Sequence, residues 1–207
     1  MADIDFWFSV GSTYTYLSVM RLSEVEKSAG LRFRWRPFSV RTIMREMDNV
    51  PFATKPIKMA YMWRDLARRA ALYGLPARVP APYPLKEFDL ANRVAVLGAS
   101  EGWCADYVRG AYRRWVQEGQ EAGSEPNLSA TLREIGQDPA RVIAAAQSDA
   151  IGQAYDAATT EARRLEVFGA PTFVVDGERF WGDDRLDDAI SWLRHGKVKP
   201  LPDGERS

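Results

Sequence analysis

The spacing of hydrophobic positions changes character along this chain, and each change predicts an element. Ile4, Phe6, Trp7 and Phe8 form a short apolar run, the pattern of a largely buried strand. Val19, Leu22, Val25 and Ala29 then recur at intervals of three and four. That spacing predicts one helix, closed by Gly30 and capped at its start by Ser12 or Thr13. Leu31, Phe33 and Trp35 next alternate with Arg32, Arg34 and Arg36, the period of a half-buried strand with a solvated arginine face. The opening 36 residues therefore read β-α-β, which requires a parallel strand pair joined by a crossover helix.

The middle of the chain has helical spacing and no convincing strand. Residues 37–55 read as an irregular excursion around a short helix, with Asn49-Val50-Pro51 in the centre. Met59, Met62, Leu66, Ala70 and Tyr73 mark a helix stopped by Gly74-Leu75-Pro76, and the three prolines of 79–84 make a loop. Leu90, Val94 and Leu97 mark the next helix; Cys104, Val108, Ala111 and Trp115 another; Leu128, Leu132 and Ile135 a short one. Asp138-Pro139 is a cap and first-turn pair, and a last helix runs from Asp149 to about Glu166. Strand character returns in Thr172-Phe173-Val174-Val175, and Asp176-Gly177 is a two-residue hairpin turn into Glu178-Arg179-Phe180-Trp181. Gly182-Asp183-Asp184 opens a helix with Leu186, Ala189, Ile190 and Leu193 inward, ending at His195-Gly196, and the polar tail from Lys197 is expected to fray. The order β-α-β, helices, β-β-α is an α/β arrangement: a thioredoxin-like fold with an inserted all-helical domain. Residues 1–38 and 167–200 form the discontinuous thioredoxin-like domain, and 39–166 the insertion.

That topology raises a chemical question at the first turn. A thioredoxin-like redox protein carries C-x-x-C there; this chain has Ser9-Val10-Gly11-Ser12. Its one cysteine, Cys104, cannot form an internal disulfide or a C-x-x-C site and lies on an apolar helix face as inert core. The absence of C-x-x-C argues directly against a disulfide oxidoreductase. One histidine, His195, rules out most histidine-based zinc sites, so no metal is expected, and a Ser-His triad would need His195 as its base. Lys+Arg and Asp+Glu both number 28, which leaves no excess positive field for nucleic acid. There is neither a basic leader with a cleavage site nor an apolar run long enough for a membrane, so the expectation is a cytoplasmic protein.

Three stretches carry a family likeness: FSVGSTYTYL at 8–17, Asn49-Val50-Pro51 followed by PIKMAYM at 56–62, and FGAPTFVVDGERFWGDDRL at 168–186. Together they resemble the 2-hydroxychromene-2-carboxylate isomerase family. That family is close to kappa-class glutathione transferases and shares the DsbA-like thioredoxin fold. The family commonly reads Ser-Pro-Tyr-Ser-Tyr-Leu where this chain has Ser12-Thr13-Tyr14-Thr15-Tyr16-Leu17. The serine is kept and the proline is not, which bears on the substrate.

The resemblance implies glutathione as cofactor. Ser12 would be catalytic, its hydroxyl holding a borrowed thiolate at a helix start without itself attacking; read alone, it is equally an N-cap. Ala170 before a cis Pro171 would offer its backbone to the cysteinyl part of glutathione, whereas a trans proline would merely open a strand. Asp183 and Asp184 would grip the γ-glutamyl end, a position that acidic caps also favour. Asn49 and Lys58 would reach the cysteinyl or glycyl end from the insertion. Tyr14, Trp63 and Tyr83 are candidates for an aromatic pocket wall, and Lys58 or an arginine within 34–45 for the cation facing a substrate carboxylate. The implied reaction is reversible addition of the thiolate to a conjugated carbon of a chromene 2-carboxylate, ring opening, rotation and release of trans benzylidenepyruvate. A small aromatic carboxylate substrate and a homodimer follow from the same likeness. The alternatives are a kappa-like glutathione transferase and, in another class, a non-catalytic thioredoxin-fold binding protein.

Overall fold

The structure, a computed structural model, describes residues 3–49, 52 and 55–198. Val50 and Pro51 of the second motif and the tail from residue 199 lie outside the described residues. Strand β1 (Asp3–Phe8) lies beside β2 (Arg32–Pro37) in parallel, with Phe6 opposite Trp35. On its other side β1 pairs antiparallel with β3 (Thr172–Val175), which pairs in turn with β4 (Glu178–Trp181), giving the order β2-β1-β3-β4. Asp176 and Gly177 both have left-handed backbones (φ 49° and 85°), the conformation that a tight two-residue turn between twisted strands requires. The arginines of β2 point outward as expected. Arg34 and Arg36 share the Asp5 carboxylate, and Arg32 meets Asp3.

The helix expected between β1 and β2 is two helices. Helix α1 is only Thr15–Val19, and α2 is Leu22–Ala29, ending at Gly30 with φ 65°. The break falls at Met20-Arg21. The Arg21 side chain folds back to donate to the Leu17 carbonyl and reaches the Asp183 carboxylate at 2.7 Å, while its guanidinium lies 3.7 Å from the centre of the Tyr73 ring. These are distant partners in sequence, so periodicity alone does not register them.

Among the described residues seven α-helices lie between β2 and β3, each where the sequence marks one by spacing, by a cap or as a short helix in an irregular stretch: α3 (Val40–Glu46), α4 (Pro56–Leu72), α5 (Phe88–Glu101), α6 (Cys104–Tyr112), α7 (Asn127–Glu134), α8 (Pro139–Ala146) and α9 (Asp149–Arg164). The Asp138 side chain caps α8 by accepting from the Ala140 amide. After α6 the chain continues as a π-helical turn, Arg113–Gln117, which carries Trp115 into the core, its indole N–H on the Pro82 carbonyl. Helices α5 and α9 pack on β2, so sheet and helices share one core. At its centre Phe6 stacks between Phe8 and Phe173 at 5.2 and 5.4 Å, pairs worth roughly 0.5–1.5 kcal/mol each beyond their buried area. Last comes α10 (Leu186–His195), preceded by a single 3₁₀ turn, Asp183–Arg185. Among the described residues no helix is long and apolar enough to cross a membrane.

Candidate active site

The turn after β1 is held from three directions. Asn92 of α5, fully buried, accepts from the Val10 amide at 2.8 Å and donates to the Val10 carbonyl at 3.0 Å. The Tyr112 hydroxyl, buried in α6, shares its one proton between the carbonyls of Ser9 and Ser12, at 3.0 and 2.8 Å. Gly11 has φ 109°, and a Cβ there would lie 2.9 Å from the Phe88 ring, so both backbone and neighbour demand glycine. Ser9 turns inward, bridging to the Phe38 carbonyl and accepting from the Val40 amide. Only Ser12 of the Ser-x-x-Ser pair faces the site.

The Ser12 hydroxyl donates to the Ala170 carbonyl at 2.7 Å, across 158 positions of sequence. The Ala170–Pro171 peptide bond is cis. Neither Ser12 nor Thr13 caps α1: the capping position is Tyr14, without a side-chain bond. The expected dipole contribution also shrinks, because α1 has five residues and not the length of the continuous helix that periodicity implies. What the turn does offer is backbone: no hydrogen bond from the amides of Thr13 or Tyr14 is formed among the described residues.

Two cavities meet at this point. The first, about 330 Å³, is largely apolar and lined in part by Ser12, Arg41, Tyr83, Phe88, Phe168 and Ala170. Asn49 and Lys58 also line it. The second, about 540 Å³, is charged: Asp65, Arg69, Asp184 and Arg185 stand on its walls with Pro171. Tyr14, Ala170 and Trp181 belong to both. Of the three aromatic residues expected at a pocket wall, Tyr14 and Tyr83 are there, and Trp63 is not. Trp63 is buried behind Tyr83, edge-on at 5.9 Å, and serves as its backing. The Tyr14 hydroxyl donates to Asp65 at 3.0 Å; burial, together with that carboxylate, pushes its pKa well above the ordinary tyrosine value, so it stays protonated.

The structure separates the two aspartates of the Gly-Asp-Asp turn. The Asp183 carboxylate is buried, accepts from the Ser18 hydroxyl at 2.9 Å and pairs with Arg21 at 2.7 Å, tying α1 and α2 to the segment before α10. The Asp184 carboxylate is exposed toward the charged cavity and pairs with Arg69 at 3.3 Å and Arg185 at 3.1 Å. Sequence reading missed Asn92, Tyr112, Asp65 and Arg69. Each lies on an ordinary helix in an ordinary pattern, and no local signal distinguishes it.

A profile of the DsbA-like thioredoxin domain matches residues 3–193. The chain belongs to the DsbA-like thioredoxin family. Within the family it is similar to a 2-hydroxychromene-2-carboxylate isomerase of Sphingobium xenophagum, 29% identical over 92% of this chain and 97% of that one. A solved structure of a 2-hydroxychromene-2-carboxylate isomerase superposes with a TM-score of 0.79 at 29% identity, covering 89% of this chain and 90% of that one. A kappa glutathione transferase of Caenorhabditis elegans is 25% identical over 97% of this chain and 93% of that one.

The chain's one cysteine lines neither cavity. Cys104 is buried in α6, and burial pushes its thiol well above the ordinary cysteine value. Native protein is therefore expected to resist a chromogenic disulfide reagent that labels one thiol per chain after denaturation. Rapid labelling of the native protein would contradict the inert assignment. Among the described residues no group of three His, Cys, Asp or Glu side chains is placed to hold a metal.

Proposed function

We propose that the chain is a glutathione-dependent isomerase of 2-hydroxychromene-2-carboxylate or a related aromatic carboxylate. One observation carries the reading: the Ser12 hydroxyl meets the carbonyl before cis-Pro171 where an apolar cavity joins a charged one. The residues present fit glutathione in its parts. A γ-glutamyl end is a zwitterion, and the charged cavity alternates acids with bases: Asp184 and Asp65 suit its ammonium, Arg69 and Arg185 its carboxylate. The Ala170 backbone suits the cysteinyl unit, and Lys58 with Asn49 the glycyl carboxylate. Asp183 would both hold the loop through Oδ1, which meets Ser18 and Arg21, and offer the ammonium its Oδ2, which lines the charged cavity without a partner among the described residues.

Glutathione held there would supply the nucleophile for reversible addition to a conjugated carbon, a thiolate regenerated in each cycle. Ser12 would turn its hydroxyl from Ala170 to donate to a bound sulfur and so favour its charged form, and the amides of Thr13 and Tyr14 would be free to add donors. The apolar walls exclude water from that charge and strengthen each bond to it.

The test is turnover of the chromene with and without glutathione, run beside conjugation of chloro-dinitrobenzene. Glutathione-dependent isomerisation supports the proposal. Conjugation alone points to a transferase, the reading favoured by the likeness to the kappa enzyme. Loss of both, with no glutathione bound, leaves a non-catalytic binding protein. Asp184→Ala is expected to weaken glutathione binding about tenfold by calorimetry, the worth of one charge-assisted bond. An unchanged affinity would remove the γ-glutamyl end from the charged cavity.

A further inference from the structure

The apolar cavity holds a feature that glutathione does not use. Arg41, in the first turn of α3, is half-buried on its wall. Its guanidinium lies over the Phe88 ring, 4.0 Å from the centroid, and Nη2 donates to the Leu85 carbonyl at 3.2 Å. Stacking and hydrogen bond together fix the group. A guanidinium carries five N–H donors, so most of them remain for a ligand. Many arginines of this chain are matched with carboxylates, but Arg41 has no ion pair among the described residues.

The surroundings sharpen the point. No Asp or Glu among the described residues lines the cavity, whereas Arg41, Lys55 and Lys58 all do. Asp89 of α5 acts on Arg41 from outside the cavity wall, and Arg45 repels it. Burial outweighs the pull of Asp89 and draws the guanidinium below its ordinary pKa, the sign of a partly desolvated cation with no direct carboxylate partner among the described residues. Such a group gains from an anion brought to it in a way that a solvated one does not. Lys55 and Lys58, by contrast, are exposed at the start of α4 and act as mobile point charges. Phe88 and Tyr83 supply flat apolar walls beside the fixed cation.

We infer that Arg41 is the specificity-determining residue of this cavity, receiving the carboxylate of a flat aromatic acid in a planar fork that Lys58 does not provide. The inference deepens the proposed function and rests on it for the reaction that follows binding. It predicts discrimination between an acid and its neutral ester. Benzylidenepyruvate and its methyl ester are titrated calorimetrically into wild type, Arg41→Met and Lys58→Met, without glutathione. Wild type is expected to bind the acid at least tenfold more tightly than the ester. Arg41→Met should bind the two alike, with ester affinity kept, and Lys58→Met should retain the preference. Arg41→Gln, which keeps a donor for Leu85 but no charge, repeats the test if Arg41→Met is poorly folded. A preference that survives loss of the Arg41 charge, or that wild type lacks, overturns the inference. Chromene turnover by the glutathione-loaded wild type separates the two proposals. Absent turnover with Arg41-dependent acid preference removes the isomerase reading alone. Turnover with a preference indifferent to Arg41 removes this inference alone.

Discussion

Ser12→Ala is expected to lower the glutathione-dependent isomerisation rate at neutral pH about 100-fold while leaving glutathione affinity within a few-fold of wild type. The hydroxyl has one proton, and in the structure it goes to the Ala170 carbonyl at 2.7 Å. Redirecting it to a thiolate exchanges a neutral hydrogen bond for a charge-assisted one, worth roughly 1.5–3 kcal/mol. At about 1.4 kcal/mol per pKa unit, the bound thiol of the variant should titrate one to two units higher. The sign follows: the variant loses activity at neutral pH and recovers it as pH rises toward the thiol's new pKa. The ultraviolet thiolate absorbance of bound glutathione, followed against pH, should shift upward in step with the rate profile. A rate loss with an unmoved thiolate titration would assign Ser12 to positioning alone, through its bond to Ala170. Tyr14 does not confound the measurement, because its hydroxyl is held protonated across the range.

Asn92→Leu is expected to cost about 4 kcal/mol of stability, read as a lower urea midpoint at unchanged slope. Leucine is close to asparagine in size, so the cost is polar. The native side chain serves both polar groups of Val10 and donates to the Phe88 carbonyl at 2.8 Å. Val10 is fully buried, so without Asn92 its amide and carbonyl would face no water and no partner, at roughly 1–3 kcal/mol each. The loss also loosens the Val10-Gly11-Ser12 turn, so residual activity at a temperature where the variant is folded should still fall below wild type. A destabilisation under 1 kcal/mol would show that the turn does not depend on this side chain.

Arrangement and chemistry were legible in the sequence to different degrees. The strands and nearly all the helices follow from local spacing, because burial of one face imposes a period that each segment carries by itself. The αL glycine after α2, the Asp176-Gly177 turn and the Asp138 cap are legible for the same reason: their physics is contained in a few neighbouring residues. The exception is the split into α1 and α2, where the contacts that hold Arg21 come from Asp183 and Tyr73, distant in sequence.

The sequence by itself determined the order of elements, the absence of a C-x-x-C pair, and which short motifs bear the family likeness. Only the tertiary structure decided that Ser12 meets Ala170, not a helix end, that Asp183 is buried against Arg21 and Ser18 while Asp184 is exposed to the charged cavity, and that Trp63 stands behind Tyr83. It also decided that Asn92, Tyr112 and Arg41 belong to the site at all. The physical reason is range. A period or a cap is an interaction between near neighbours, whereas a hydrogen bond across 158 residues or a cation fixed on a cavity wall exists only once the whole chain has closed around it.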